Sequence, residues 1–303
     1  ERLSKRDWGR ENNLPGFPHE VERIFSELPE NFDDDLFTKP DVHRRWIDVL
    51  TRRSVPGDMR KDDPDIWLRQ LDYYAKLHEL NDQCVGHVLS ALDDIDAWEN
   101  TIIVFTSDHG DQCGSHNLRS KGPWNYQETM RIPLYISAPG IVQPGSKTDS
   151  LTSHVDLART ILEFAGVEPA DHPTFVGESL SPVFENSSAK IRDYVLFNQE
   201  WPWYPGVEQC RYASSGIFDG INKYCRYYGL GGGFDTQGNQ NGEPEMLFGR
   251  DAAFDDHDHE MYDLQEDPHE LVNLAVDRSR REEVRSKFSE LRSIEHEMYG
   301  NGF

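Results

Sequence analysis

The residues best suited to chemistry follow a short β-branched segment in the first half of the chain. Asp108 offers a carboxylate and His109 an imidazole, and Gly110 allows the backbone to turn tightly. Such a pair could hold part of a divalent cation's coordination shell. Ca²⁺ takes about six to eight oxygen ligands, so most of the coordination must come from elsewhere. Taken alone, an Asp-His-Gly triplet is more typical of a structural turn than of a metal site.

A polar loop at residues 111–125 follows this triplet and carries His116 and Lys121. A lysine near a bound metal suits an anionic substrate, because both cations neutralise charge that develops on oxygen. The alternative for Lys121 is an ordinary solvent-exposed lysine. The loop as a whole is predicted to be too hydrophilic to lie in the core.

Two apolar segments are predicted to be buried strands that position the triplet. Residues 101–106 (TIIVFT) and 132–138 (IPLYISA) are short, unalternating runs, which are typical of parallel strands covered on both faces. Ligands of such sheets bind beyond the carboxyl ends of the strands, where residues 107–110 lie. The order helix, strand, strand, helix indicates part of a layered α/β sheet.

The two helices of this order have recognisable beginnings. Asp63 can cap a helix that starts with a proline, and apolar residues recur at three- and four-residue spacing over residues 71–92. Ser153 and Asp156 form a capping box at the start of the second helix. Both helices are therefore predicted to have one apolar face.

The character of the sequence changes near residue 190. Three short strands and a closing helix are predicted, at residues 194–197, 212–218, 223–228 and 279–298. Strands followed by a helix indicate a smaller antiparallel α+β subdomain. We therefore predict two domains, residues 1–190 and residues 191–303. The first 60 residues lack sustained periodicity and are predicted to be irregular coil.

The charge balance argues against two classes of partner. The chain of 303 residues has 31 lysines and arginines against 55 aspartates and glutamates, a formal net charge of −24. Nucleic acids and anionic membrane surfaces are therefore not expected as partners, because both attract cationic proteins. No segment approaches the roughly 18 consecutive apolar residues of a membrane span. Aromatic residues make up 11% of the chain, enough to indicate a folded, globular protein.

Two longer motifs resemble the sulfatase family. The segment TIIVFTSDHGDQCGSHNLRSKGPWNYQETMRIPLYISAPG, residues 101–140, is similar to the second signature region of that family. The tail MYDLQEDPHELVNL, residues 261–274, is similar to its closing Y-D-L-x-x-D-P-x-E-x-x-N-L motif, and residues 28–32 (LPENF) also match. The resemblance covers essentially the whole chain. It implies an α/β fold, part of an alkaline-phosphatase-like layered sheet domain followed by a small antiparallel α+β C-terminal subdomain.

The resemblance also assigns roles to the polar residues. Asp108 and His109 match two of the family's calcium ligands, so one Ca²⁺ ion is the expected cofactor. Lys121 matches the lysine that contacts the sulfate oxygens, which makes it both a substrate-binding and a catalytic residue. His116 falls where it would take a catalytic role on the substrate side. The expected substrate is a sulfate ester, either a small molecule or a saccharide.

Part of the family pattern does not occur in this sequence. Sulfatases use a formylglycine made from the Cys or Ser of a C/S-x-P-S-R motif. Ser54 and Ser137 have a proline two residues later, but Asp58 and Ile141 stand where the arginine should be. We therefore expect the chain to be the C-terminal portion of a sulfatase and to be inactive alone. The formylglycine is expected in a missing N-terminal half, which would be the partner of this chain.

Two other functions are open at this point. A phosphodiesterase or phosphonate monoester hydrolase of the same superfamily would share the Asp-His pair and the lysine. A non-catalytic remnant would only bind a partner or an anion. Polymer-degrading sulfatases are commonly exported, which favours the periplasm or secretion as the location.

Three further features have two interpretations each. Cys210 and Cys225 could form a disulfide or lie as free thiols in packed surroundings. Residues 255–260 (DDHDHE) are interpreted as a solvated acidic loop rather than a metal site. Residues 201–205 (WPWYP) could line a sugar or aryl subsite, or pack against the smaller domain.

Overall fold

The computed structural model describes residues 21–53, 63–167, 176–199, 210–230 and 249–299. Within these ranges the helices are α1 (Asp41–Arg53), α2 (Pro64–Asp94), α3 (Gln127–Met130), α4 (His154–Phe164), α5 (Ser181–Glu185) and α6 (Arg281–Tyr299). The strands are β1 (Ile103–Thr106), β2 (Leu134–Ser137), β3 (Val195–Gln199), β4 (Arg211–Phe218), β5 (Asn222–Leu230) and β6 (Asp258–Asp263). The chain thus mixes helices with antiparallel sheets.

Strands β1 and β2 form an antiparallel pair in which Phe105 lies opposite Tyr135. The prediction of parallel strands covered on both faces is wrong for these segments, since Phe105 is 40% exposed and Tyr135 is 69% exposed. Among the described residues no third strand joins the pair, so its edges stay unpaired there. Phe105 and Tyr135 therefore lack the cover that the sequence pattern predicts.

The second sheet has four antiparallel strands in the order β3-β4-β5-β6. Its first three strands confirm the prediction of short strands after residue 190. The prediction of a solvated acidic loop at residues 255–260 is wrong, because residue 258 begins β6 and Glu260 is only 2% exposed. Buried tyrosine hydroxyl groups bind the carboxylate of Glu260, which allows an acidic residue to enter the interior.

Helix α6 covers one face of this sheet, as its apolar periodicity predicts. The cluster between helix and sheet contains Ile217, Tyr224, Phe254, Met261, Val284, Phe288, Leu291 and Ile294. Each fully buried side chain of this size contributes roughly 1.5–3 kcal/mol of hydrophobic free energy. This cluster anchors the C-terminal part of the chain.

A second cluster lies between α1, the loop after β1 and the other face of the four-stranded sheet. It contains Leu36, Val42, Trp46, Leu118, Trp124, Tyr126, Cys210, Tyr212, Cys225, Tyr227 and Tyr262. The prediction of coil throughout residues 1–60 is wrong at α1, where Val42 and Trp46 are buried. The prediction that residues 111–125 are too hydrophilic for the core is also wrong, since Leu118 and Trp124 are fully buried. The proposed domain boundary after residue 190 stays a prediction, and segments from both sides of it share this cluster.

The predicted beginnings of α2 and α4 are both confirmed. The side chain of Asp63 accepts a hydrogen bond from the backbone of Ile66, and both halves of the capping box at Ser153 and Asp156 are formed. The apolar stripe of α2 is less buried than its pattern predicts, because Val88 is 67% exposed. Helix α2 therefore presents apolar surface to solvent along part of its length.

Two of the remaining predictions concern cysteines and membranes. Cys210 and Cys225 are both free and buried, so the packed-thiol interpretation is correct and the disulfide interpretation is wrong. The two interpretations of residues 201–205, a sugar or aryl subsite and packing against the smaller domain, concern residues outside the described ranges. Among the helices that the structure describes, none combines the length and the apolar character needed to cross a membrane.

Candidate active site

The turn at residues 107–110 leaves the end of β1 and is fixed by a set of hydrogen bonds. The hydroxyl of Ser107 donates to the carbonyl of His109 at 2.9 Å, and the backbone N–H of Gly110 donates to the carbonyl of Thr129 at 2.8 Å. The ring of His154 lies 2.7 Å from the carbonyl of Ser107. These bonds tie the turn to the segments that follow β1 in the chain.

The orientation of His109 directs one of its ring nitrogens toward Asp108 and Lys121. Its Nδ1 lies 2.8 Å from the carbonyl of Gly110 and must donate to it, so in the neutral ring Nε2 carries a lone pair. That Nε2 atom lies 3.2 Å from Oδ2 of Asp108 and accepts a hydrogen bond from the ammonium group of Lys121. The three side chains that the sequence singles out are therefore in contact.

The carboxylate of Asp108 is well suited to bind an incoming cation. Its side chain is 81% exposed. The backbone N–H of His109 donates to Oδ1 at 2.9 Å, and this hydrogen bond holds the pKa of Asp108 below the usual value. The positive charge of Lys121 lowers the pKa further. Asp108 is therefore charged at neutral pH.

A tightly folded loop brings Lys121 to His109. The carboxylate of Asp111 accepts from the backbone N–H groups of Cys113 and Ser120, at 2.9 and 3.0 Å, and so closes the loop on itself. Five residues in the loop have positive φ, namely Cys113, Gly114, His116, Asn117 and Ser120. Such backbone is costly outside glycine, so the loop depends on these internal bonds for its shape.

Two glycines permit close approach at this site. A Cβ atom on Gly110 would lie 1.9 Å from the carbonyl oxygen of Glu128, and one on Gly122 would lie 2.2 Å from the ring of Trp124. Neither position can accept a side chain without displacement of its neighbour. Gly110 therefore sets the distance between the turn and α3, and Gly122 sets the path of the chain directly after Lys121.

His116 is placed in the interior rather than beside Lys121 on the surface. Its side chain is fully buried, and its ring stacks on Tyr126 with 3.9 Å between the ring centroids. Nδ1 donates to Asp34 at 2.7 Å, and Nε2 accepts from the amide of Asn31 at 3.1 Å. Both nitrogens are occupied by protein groups, so a substrate contact through His116 stays a prediction that this placement does not support.

The partners of His116 belong to a buried polar network that sequence reasoning missed. Lys39 lies 3.9 Å from Asp34 and donates to the hydroxyl of Tyr262 at 2.9 Å, and Tyr262 in turn donates to Glu260 at 2.6 Å. The only signal for it in the sequence was the LPENF segment, which contains Asn31. The network joins the N-terminal segment, the site loop and β6 beneath the candidate site.

The pair Asp108 and His109 fits part of a calcium site. Two atoms with lone pairs, Oδ2 and Nε2, face each other at 3.2 Å, an arrangement that a shared cation would stabilise. A carboxylate is a preferred Ca²⁺ ligand, whereas an imidazole is a less common one. Within the described residues no group of three or more His, Cys, Asp or Glu side chains is arranged to hold a metal. The described residues therefore supply at most a part of the coordination.

Comparison with known proteins identifies the family of the chain. The Sulfatase family model matches residues 15–167, just over half of the sequence. This chain belongs to the sulfatase family. A second family model, for the C-terminal part of N-sulphoglucosamine sulphohydrolase, matches residues 114–237 of this chain. The recognition made from the two sequence motifs is thus confirmed.

Relatives and solved structures agree with this assignment. The N-acetylglucosamine-6-O-sulfatase of Bacteroides thetaiotaomicron is 29% identical over 273 residues, which are 88% of this chain and 42% of the relative. The structure of a protein in complex with its substrate D-glucosamine-2-N,6-O-disulfate matches 99% of this chain, and 53% of that one, at a TM-score of 0.60 and 24% identity. The structure of a 2-O GAG sulfatase matches 92% of this chain, and 53% of that one, at a TM-score of 0.64 and 22% identity.

These matches confirm the sulfatase fold, an alkaline-phosphatase-like α/β architecture. They also define how much of it this chain represents. The chain spans about half the length of the relatives and structures that it matches.

Proposed function

We propose that this chain supplies metal and sulfate contacts to a sulfuric ester hydrolase. The observation that carries the proposal is the contact of Asp108, His109 and Lys121 at one exposed turn, in a chain of the sulfatase family. An anionic carboxylate, an imidazole lone pair and an ammonium group together suit a cation and an anionic ester. The hydrogen bonds that fix the turn and the loop support the proposal, because they hold these three side chains in place.

Lys121 is proposed to bind the sulfate group of the substrate. Its ammonium group is exposed, and here it donates to Nε2 of His109. That lone pair is the one that a metal would take. When His109 binds a metal, Lys121 must therefore turn to another acceptor, and the oxygens of a sulfate ester are suitable ones. A fixed positive charge there stabilises the negative charge that develops as the ester bond breaks.

Asp108 and His109 are proposed to hold one Ca²⁺ ion. When bound, the ion would act as a Lewis acid toward the oxygens of the sulfate group. Asp108 contributes an exposed, charged oxygen, and the bond from His109 Nδ1 to Gly110 keeps Nε2 aimed at the same point. The other ligands are proposed to come from outside this sequence.

No residue of this chain fits the family's nucleophile. The C/S-x-P-S-R motif that would give a formylglycine does not occur in the 303 residues. We therefore derive no step of attack on sulfur, and we propose that the nucleophile belongs to the N-terminal half of the same protein. The half represented here is proposed to be inactive alone.

The proposed substrate is the sulfate ester of a saccharide. Support comes from the matched relative, an N-acetylglucosamine-6-O-sulfatase, which aligns with 88% of this chain. A sulfated amino sugar is the first substrate to test.

The experiment is a comparison of sulfate and phosphate esters with the full-length protein. We expect hydrolysis of N-acetylglucosamine 6-sulfate and 4-nitrophenyl sulfate in preference to 4-nitrophenyl phosphate and a phosphonate monoester. Lys121→Ala should lower kcat by about 10²-fold or more, by analogy with the loss of an oxyanion donor. Lys147→Ala, at an exposed lysine elsewhere, is the matched control and should leave kcat unchanged.

Three results would contradict the proposal. A preference for phosphate or phosphonate esters would favour the phosphodiesterase alternative. Full activity of Lys121→Ala would remove this residue from the site. The lack of any hydrolysis by the intact protein would favour the non-catalytic alternative.

A further inference from the structure

His154 lies next to the active-site turn although neither the sequence motifs nor the family resemblance gives it a role. It is the first residue of α4, and its Nε2 atom lies 2.7 Å from the carbonyl oxygen of Ser107. A carbonyl oxygen only accepts, so the ring donates. The Ser107 carbonyl belongs to the peptide group that leads into Asp108, so its direction sets the plane from which the Asp108 side chain extends.

Two side chains donate to the Ser107 carbonyl, and the bond from His154 is the shorter of the two. The hydroxyl of Thr106 also approaches it, but at 3.5 Å, and that hydroxyl has a shorter partner in the carbonyl of Pro133 at 2.9 Å. The remaining bonds of the turn run within it, to Thr129 or to Lys121. His154 therefore connects the turn to a separate helix.

The start of α4 is a firm support for this ring. The carboxylate of Asp156 is fully buried, accepts from the backbone N–H groups of Ser153 and Glu178 at 2.7 and 2.8 Å, and pairs with Arg192. A helix end held by a buried, charged group has little freedom to shift. The position of His154 is thus determined by bonds that lie outside the turn.

We infer that His154 is a positioning residue of the proposed sulfatase site. It holds the peptide group between Ser107 and Asp108, so that the Asp108 carboxylate meets Nε2 of His109. The role in metal binding rests on the function proposed above, whereas the hold on the turn does not. The bond does not depend on ionisation, because Nε2 donates in both the neutral ring and the charged ring.

Amide hydrogen exchange measures the hold on the turn directly. The N–H of His109 bonds to Asp108 and the N–H of Gly110 bonds to Thr129, so both exchange slowly only while the turn is intact. In His154→Ala we expect these amides to exchange about tenfold faster at an unchanged melting temperature. His154→Gln keeps an N–H donor of similar reach and should restore slow exchange. His87→Ala, on the exposed face of α2, is the matched control and should match the wild type.

Terbium luminescence then tests the consequence for the metal, with Tb³⁺ in place of Ca²⁺ in the full-length protein. His154→Ala should bind Tb³⁺ about 10- to 100-fold more weakly, as expected when a supporting hydrogen bond is lost, and His154→Gln should recover most of the affinity. Wild-type exchange rates in His154→Ala, or equal effects of Ala and Gln, would overturn the inference. If the wild type binds no Tb³⁺, the proposed calcium role fails, and the exchange rates alone still decide whether His154 holds the turn.

Discussion

The Nε2 atom of His109 has two neighbours, the carboxylate of Asp108 and the ammonium group of Lys121. The sequence predicts this grouping through the Asp-His-Gly triplet and the lysine of the following loop. The sequence also puts His116 at the site, but the structure makes it an internal partner of Asp34. Residue type and spacing find the groups that face solvent. They do not distinguish these from a histidine whose hydrogen-bond partners lie more than 80 positions away in the chain.

A second buried histidine gives a prediction about pH. His43 lies in the interior facing Tyr126, Glu260 and Lys39, and burial lowers its pKa to about 4. An unfolded histidine has a pKa near 6.5, so the unfolded state takes up protons first as the pH falls. The stability associated with neutral His43 is fully present above about pH 6.5 and is lost as the pH falls toward 4.

Urea unfolding at two pH values tests this expectation. Between about pH 7 and pH 5 the free energy of unfolding should fall by roughly 2 kcal/mol through His43 alone. His43→Gln should remove that part of the decrease. The same substitution at the exposed His87 should leave the decrease as it is in the wild type. An identical pH dependence in His43→Gln and in the wild type would contradict this view of the interior.

At the scale of helices and strands, patterns among neighbouring residues gave correct predictions. Burial that depends on residues far apart in the chain was not predicted. The helix caps at Asp63 and Ser153, strands β3 to β5 and the apolar face of α6 all follow from residues close together in sequence. Strand β6 was missed because an acidic run looks exposed until its tyrosine partners are known. The loop at residues 111–125 was misjudged because α1 and the sheet, far away in the chain, cover it.

The contact between the turn at residues 107–110 and α3 gives a prediction at this scale. Gly110→Ala would place a Cβ atom 1.9 Å from the carbonyl of Glu128 and push the two segments apart. We expect a loss of about 1–3 kcal/mol in the free energy of unfolding, as for other overpacked sites. Gly86→Ala is the control. Gly86 lies within the helix α2, and a Cβ atom there would meet nothing within 4 Å.

The control should change stability in the opposite direction, by up to about 1 kcal/mol, since alanine favours helix more than glycine does. Chemical unfolding of both variants beside the wild type gives the comparison. Equal stabilities for Gly110→Ala and the wild type would mean that the turn and α3 do not approach as closely as described.

At the scale of the whole molecule, the described surface combines strong negative charge with open apolar segments. The net charge of −24 opposes self-association. Phe105 and Tyr135 lie across from each other on the open β1–β2 pair, and Val88 is exposed on α2. In the proposed full-length sulfatase these segments would be covered by the N-terminal half.

A hydrophobic dye tests whether that cover exists. The 303-residue chain should bind 1-anilinonaphthalene-8-sulfonate, because exposed apolar patches attract it, and the full-length protein should bind several-fold less. The double variant Phe105→Ser with Tyr135→Ser should lower dye fluorescence of the 303-residue chain. Equal dye binding by the chain and the full-length protein would contradict the proposed cover.

The central claim is that Asp108, His109 and Lys121 form one centre for a cation and a sulfate group. It is tested most directly by a crystal structure of the full-length protein with Ca²⁺ and a sulfated amino sugar. We predict an ion about 2.3–2.6 Å from the ligating atoms of Asp108 and His109. We also predict that the Lys121 ammonium leaves His109 and donates to a sulfate oxygen. An ion bound at other residues, or a sulfate group out of reach of Lys121, would contradict the claim.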